Sequence, residues 1–137
     1  MSLEDLFTLT EHGGDVHVGN GHPYPWGGLY GGQIVAQALR AAASTVDPTQ
    51  EIHSLRAYFI RRGDHTEPIR FEVDRIRNGR SFSTRRVVAR QAIGAILNLE
   101  ASFQQFEQAR ALREPLTARG HGTDVDRLFE SYGAPPQ

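Results

Sequence analysis

The chain has no cysteine, so it forms neither a disulfide framework nor a thiolate nucleophile or thiolate metal ligand, and its composition suits a reducing compartment. It has no lysine either, and every basic side chain is an arginine. No apolar run approaches the ~20 residues that a helix needs to span a bilayer. The acidic start Met1-Ser2-Leu3-Glu4-Asp5 lacks the basic and apolar regions of a signal peptide. Nor is there an excess of one charge: 15 basic and 16 acidic residues leave a formal net charge of −1, and nothing draws the whole molecule to nucleic acid or an anionic membrane. These absences set the expectation of a cytoplasmic protein with no nucleic-acid partner and no membrane partner.

What is present fits one domain. A chain of 137 residues buries roughly two-thirds of its unfolded surface on folding. We expect a single core over about 14–106 and a C-terminal tail or the start of a linker over 107–137. Asp15-Val16-His17-Val18 reads as a short strand, and His22-Pro23-Tyr24-Pro25-Trp26-Gly27-Gly28 as a turn-forming loop. A helix is predicted from Gly31 or Gly32, with Ile34, Val35, Ala38, Leu39 and Ala42 on one apolar face. It ends by Asp47-Pro48, because the residue before proline is pushed out of the α region. The run Ala41-Ala42-Ala43 gives it the slim surface that a closely wrapped sheet requires.

From Ile52 to Phe106 the chain reads as an antiparallel meander of about four strands. Ile69, Phe71 and Val73 alternate with Arg70, Glu72 and Asp74, a half-buried pattern of period two. Asn78-Gly79 predicts a type I′ hairpin turn with positive φ at both positions, followed by a strand in which Phe82, Thr84 and Val88 share a face. A second turn falls near Ile93-Gly94. After it Ala95, Leu97, Leu99, Ala101 and Phe103 take one face, and Asn98, Glu100, Ser102 and Gln104 the other. Beyond Phe106 we predict short helices over Glu107 to Arg113 and Val125 to Tyr132, then a proline-rich end.

Two features invite a ligand. At Gly31-Gly32-Gln33 a helix start offers unpaired backbone N–H groups and a partial positive charge, and glycine lets a ligand come close. The same glycines also suit a tight turn into the helix, with Gln33 as a polar cap. Gln37, one turn on, reads as a satisfied buried amide. The second feature is the six arginines from Arg75 to Arg90, which are either a solvated sheet face or include one or two clamps on a phosphate-bearing ligand. Other chemistry is weaker. His53 and Ser54 point to opposite faces of a strand and cannot form a local dyad. Asp64, beside Arg62-Gly63, reads as a turn aspartate capping its own backbone. His12, His17 and His22 recur at a spacing that matches no helix or strand face, so no metal is expected.

Taken in order, Gly31 to Leu39, His53 to Asp64, Asn78 to Val87 and Ala101-Ser102-Phe103-Gln104 resemble the first repeat of the acyl-CoA thioesterase II family, whose members carry two hotdog domains in one chain. The resemblance runs from about Trp26 to Gln104. It implies an α+β fold, a single hotdog domain with a long central helix wrapped by a curved antiparallel sheet, which pairs with a second copy or a second hotdog domain. It implies hydrolysis of fatty acyl-CoA to free acid and coenzyme A, with no cofactor and no metal. Gly32, Gln33 and Gln104 then stand as catalytic candidates, with Gln33 donating to the thioester oxygen or holding a water. Gly31, Tyr58, Arg80, Ser81, Phe82 and Arg85 stand as substrate-binding candidates. The family's catalytic aspartate and threonine belong to the second repeat, which has no counterpart in this sequence. By the symmetry of the repeats Gln33 falls at about the aspartate's place, Gln104 at about the place of the family's glutamine, and Ile52 near the threonine's. Glutamine cannot serve as a general base and isoleucine has no hydroxyl. The alternative is therefore a non-hydrolytic acyl-CoA-binding or structural half. A hotdog dehydratase would need a histidine paired with a carboxylate, and no such pair is evident.

Overall fold

A computed structural model of the chain describes residues 2–106. The helices expected over Glu107 to Arg113 and Val125 to Tyr132, and the proline-rich end, lie outside the described residues.

The chain opens on a helix that the periodicity does not reveal, α1 (Leu3–Phe7). Reciprocal caps set its start: Asp5 N–H donates to Ser2 Oγ at 3.2 Å and Ser2 N–H donates to Asp5 Oδ2 at 2.9 Å. The exchange satisfies donors that a helix start otherwise leaves open, and the Ser2 backbone N–H holds the Asp5 carboxyl below its ordinary range. Strands β1 (Thr10–Glu11) and β2 (Val16–Asn20) follow, then the long helix α2 (Gly31–Ala43). The remaining strands are β3 (Gln50–Phe59), β4 (Pro68–Asn78), β5 (Phe82–Gln91) and β6 (Gly94–Gln105).

All six strands form one sheet in the order β1-β2-β4-β5-β6-β3. Strands β4 to β6 are the predicted meander, but β3 does not begin it. The free side of β4 is taken by β2, from Val16 opposite Glu72 to Asn20 opposite Pro68, so β3 pairs instead with β6 at the far edge. Leu55, Tyr58, Phe59 and Ile60 remain exposed along or beside that edge.

Alternation along the strands builds the core. Ile69 and Phe71 of β4, Val87 and Ala89 of β5, and Leu97, Leu99, Ala101 and Phe103 of β6 pack with Ile34, Ala38, Ala41 and Ala42 of α2. Those three alanines have no exposed surface, because the curled sheet comes close enough to cover their methyl groups. One helix wrapped by a six-stranded antiparallel sheet is the α+β hotdog arrangement.

Two local readings change. Neither Asn78 nor Gly79 has positive φ, so the β4–β5 hairpin is not closed by a type I′ turn. Asn78 pairs with Ser83, and Gly79 N–H donates to Phe82 O at 2.8 Å. Glycine is required at 79 because a Cβ there would run into the Phe82 carbonyl oxygen. In β5, Phe82, Thr84 and Val88 do share a face, but it is turned away from α2. Ser83, Arg85, Val87 and Ala89 are the buried residues.

Candidate functional site

Helix α2 starts without a side-chain cap. Tyr30 is its extended N-cap residue, and the Tyr30 carbonyl accepts from Gln33 N–H at 3.1 Å and Ile34 N–H at 3.3 Å. Among the described residues the N–H groups of Gly31 and Gly32 have no acceptor. Both positions need glycine because aromatic rings lie against them. A Cβ on Gly31 would sit 2.9 Å from Phe59 Cε1, and one on Gly32 2.9 Å from Tyr30 Cε1. Gly31 also lines a cavity of about 330 Å³ with Leu29, Ile34, Phe59, Arg61 and Arg62, and among the described residues no carboxylate lines it.

The two glutamines of α2 share one acceptor. Gln33 Nε2 and Gln37 Nε2 each donate to Asn20 O at 3.1 Å, and Gln37 Nε2 also donates to Leu6 O at 2.8 Å. They fasten the end of β2, and through Gln37 also α1, to the helix. Gln37 is fully buried, but its Oε1 has no partner among the described residues, so the amide is satisfied only on its donor side. Gln33 keeps one amide N–H and its oxygen free of that bond.

The remaining candidates lie elsewhere. Gln104 is opposite Phe82 in the β5–β6 register, and residues so paired share a face of the sheet. That face is turned away from α2, so the structure does not bring Gln104 to Gln33. Phe82 is 43% exposed and meets the His53 ring edge-on at 6.2 Å. Arg80 and Ser81 form the hairpin tip, where the Arg80 carbonyl accepts from Gln50 Nε2 at 3.2 Å. Tyr58 is 65% exposed on the edge strand. The hairpin tip packs near the C-terminal end of α2, through Arg85 and Thr45, and a 13-residue helix puts that end roughly 20 Å from Gly31.

Arg85 is placed differently from the expectation. It is 1% exposed, and all five N–H donors of its guanidinium are committed within the protein. Nε donates to Thr45 Oγ1 at 2.7 Å, Nη1 to the Arg77 and Thr84 carbonyls at 2.8 and 3.1 Å, and Nη2 to Thr45 O at 3.0 Å and to Asn78 Oδ1. Burial pushes its pKa down, and the like charge of Arg75 adds to this. No donor is left for a phosphate, so Arg85 ties the hairpin to the end of α2 and leaves the list of substrate contacts.

Half of the arginine stretch is paired with carboxylates. Arg75 binds Asp15 through two bonds of 2.7 and 3.0 Å, Arg86 binds Asp74 at 2.9 Å, and Arg90 binds Glu72 at 3.0 Å. The Arg75 hydrogen bonds hold the Asp15 carboxyl below its ordinary range, and Asp15 in turn raises Arg75. Asp64 accepts from Thr66 Oγ1 at 2.7 Å and Thr66 N–H at 2.8 Å; these bonds lower its pKa and leave it a poor general base.

One polar pair escaped the sequence reading. His17, buried on β2, lies 3.2 Å from Ser44 Oγ at the end of α2. Ser44 donates its hydroxyl proton to Ala41 O at 2.7 Å, so the His17 nitrogen is the donor and the serine is not activated. The pair closes the helix end. Among the described residues no three His, Asp or Glu side chains converge as a metal site, and no helix is long and apolar enough to cross a membrane.

Beside the pair lies a cavity of about 660 Å³ bounded by Leu3, Phe7, Leu9 and Arg40. A third cavity, about 550 Å³, runs between α2 and β3 and is bordered by Ala36, Leu39, Ile52 and Phe103, with Gln50 at its side.

The curled sheet, the central helix and the unpaired glycine start define a hotdog domain. The acyl-CoA thioesterase N-terminal domain family matches residues 22–104, and the chain belongs to that family, that of acyl-CoA thioesterase II. Acyl-coenzyme A thioesterase 8 of Mus musculus is 51% identical over 79 residues, which cover 58% of this chain and 25% of that protein. Acyl-CoA thioesterase 2 of Haemophilus influenzae is 43% identical over 80 residues, covering 58% and 28%. The crystal structure of an acyl-CoA thioesterase II, TesB2 from Mycobacterium marinum, superimposes with a TM-score of 0.69 at 39% identity, over 77% of this chain and 38% of that one. The chain thus spans only about a quarter of the length of these curated relatives.

Proposed function

We propose that this chain is the acyl-CoA-holding half of a thioesterase, and that it hydrolyses fatty acyl-CoA to free acid and coenzyme A only together with a second hotdog domain. The observation that carries the reading is the flank shared by α2 and β3. The cavity at Gly31, bordered by Phe59 of β3, and the apolar groove bordered by Leu39, Phe103 and Ile52 of β3 both touch α2 and β3, the first at the helix start and the second towards its end. A thioester carbonyl at the Gly31 and Gly32 N–H groups would be polarised, and the acyl chain would run along the groove. In hydrolysis water adds to that carbonyl carbon, the C–S bond breaks, and the departing thiolate takes up the proton the water loses. Preorganised N–H donors stabilise the oxyanion, and Gln33 is suited to orient the water. Among the described residues nothing at the helix start can accept the proton, since Gln33 is an amide and Asp64 is held by Thr66. The base is therefore assigned to the partner.

Pairing uses the open apolar edge at β3, which a second copy or a second hotdog domain would cover. Gln104 and the hairpin tip of Arg80, Ser81 and Phe82 lie away from the helix start and, with the exposed Tyr58 of the β3 edge, are assigned to the partner's substrate. Residues from 107 onward are read as a tail or the start of a linker to such a domain, and the cytoplasmic reading rests only on a composition that suits a reducing compartment. Calorimetry with dodecanoyl-CoA and with dodecanoate tests the reading. We expect binding of the thioester at least tenfold tighter, and equal affinity would reduce the site to an apolar groove.

A further inference from the structure

Resting on the acyl-CoA reading, we propose that the loop before α2 and the Arg61-Arg62 pair form a seat for the nucleotide end of coenzyme A, a planar base bearing phosphates. The loop is an aromatic ladder. The Tyr24 ring lies 5.0 Å from Trp26, edge to face, and 5.3 Å from Tyr30, whose ring rests on Gly32. At its outer end Trp26, the single tryptophan of the chain, is 76% exposed.

The ladder is held in place and is not a loose loop tip. Pro23 and Pro25 fix φ on either side of Tyr24, and Gly27 and Gly28 take left-handed φ of 77° and 73°. Arg62 Nη2 donates to Trp26 O at 2.8 Å. A Cβ on Gly28 would lie 2.6 Å from Arg62 Nε, so the arginine stem lies along the two glycines.

The charges point the same way. Arg56, Arg70, Arg75, Arg86 and Arg90 all have carboxylate partners. Among the described residues six arginines have none, Arg40, Arg61, Arg62, Arg77, Arg80 and the buried Arg85, and of these only Arg61 and Arg62 stand beside the loop: Arg61 donates to Ala95 O at 2.7 Å and Arg62 to Trp26 O. Each guanidinium keeps donors to spare, and both line the cavity that reaches Gly31. Exposed rings take a base by stacking, and unpaired guanidinium groups take phosphate oxygens. A base on Trp26 with its phosphates at Arg61 and Arg62 leaves the pantetheine arm to pass Tyr24 and Tyr30 and deliver the thioester to Gly31 and Gly32.

Because Trp26 is the sole tryptophan, its fluorescence reports the seat directly. The full chain is titrated with coenzyme A, adenosine 3′,5′-bisphosphate, pantetheine and ATP. We expect the first two to quench Trp26 and pantetheine to leave it unchanged. Arg61→Ala should weaken coenzyme A at least tenfold with most of the loss restored by Arg61→Lys, and Trp26→Ala, followed by calorimetry, should weaken it about tenfold, the order of one lost base–aromatic stack. Circular dichroism checks that each variant folds. The seat is overturned if dodecanoyl-CoA binds and neither substitution changes its affinity, which leaves the acyl-CoA reading standing. ATP binding tighter than coenzyme A overturns the assignment of the nucleotide. If neither dodecanoyl-CoA nor coenzyme A binds at all, both readings fall.

Discussion

Replacing Arg85 with methionine should be among the costliest single changes in this domain, and the cost follows from what the guanidinium touches. Methionine fills much of the same space but donates nothing. It leaves the Thr45 and Arg77 carbonyls and the Asn78 amide oxygen without the donor they now share. A buried acceptor left unpaired costs about 1–3 kcal/mol, and part of this is offset because a cation no longer has to be desolvated. With water reaching at least one acceptor near the hairpin tip, a net loss of about 3 kcal/mol is expected, a large share of the ~5–15 kcal/mol that holds a typical domain. Arg85→Lys should fall between, since a compact ammonium cannot reach acceptors on both sides. Urea denaturation followed by circular dichroism measures the difference. Binding of dodecanoyl-CoA to the folded variant should stay near wild type, because Arg85 lines neither the cavity at Gly31 nor the groove at Leu39 and Ile52. A loss below about 1 kcal/mol, or a loss of affinity without a loss of stability, would refute the structural role and return Arg85 to the ligand.

Other outcomes follow from the same contacts. Gln37→Ala removes donors to Leu6 O and Asn20 O and should lower stability by about 2 kcal/mol; the check is faster amide exchange in α1 and β2 with little change around β5 and β6. Gly32→Ala would press Tyr30 off the helix start, so we expect weaker dodecanoyl-CoA binding by calorimetry with the domain still folded. The carboxyls of Asp15 and Asp64 lie below their ordinary range in the folded protein. The stability they contribute is fully present above the unfolded value of about 3.9 and is lost as pH falls through their folded values. Asp15→Asn should therefore flatten the acid limb of a urea-midpoint profile.

Helix α2 and strands β4 to β6 were legible because their apolar residues repeat at 3.6 or 2 over ten or more positions. Helix α1 has only five residues, too few for a period, and its one signal was the Ser2 and Asp5 cap. The place of β3 was not legible, since whether it joins β4 or β6 depends on β2 claiming one side of β4. Arg85 defeats pattern reading because alternation tells which residues share a face but not which face meets the helix. The same limit applied to the arginine stretch, where Asp15 neutralises Arg75 from 60 positions away. The helix start at Gly31-Gly32-Gln33 could be read from the sequence, whereas the Phe59 and Tyr30 rings that explain its glycines, and the unpaired Arg61 and Arg62, appear only once β3 lies beside α2.

The central claim is that this chain holds acyl-CoA but lacks the base that hydrolyses it. Release of free thiol from dodecanoyl-CoA, followed at ligand concentrations where calorimetry shows the chain saturated, tests it most directly. The account predicts a saturated wild-type chain with no turnover above the uncatalysed rate, and a gain of turnover in Gln33→Asp, which places a carboxylate at the helix start. Thiol release by the saturated wild-type chain well above the uncatalysed rate would contradict it.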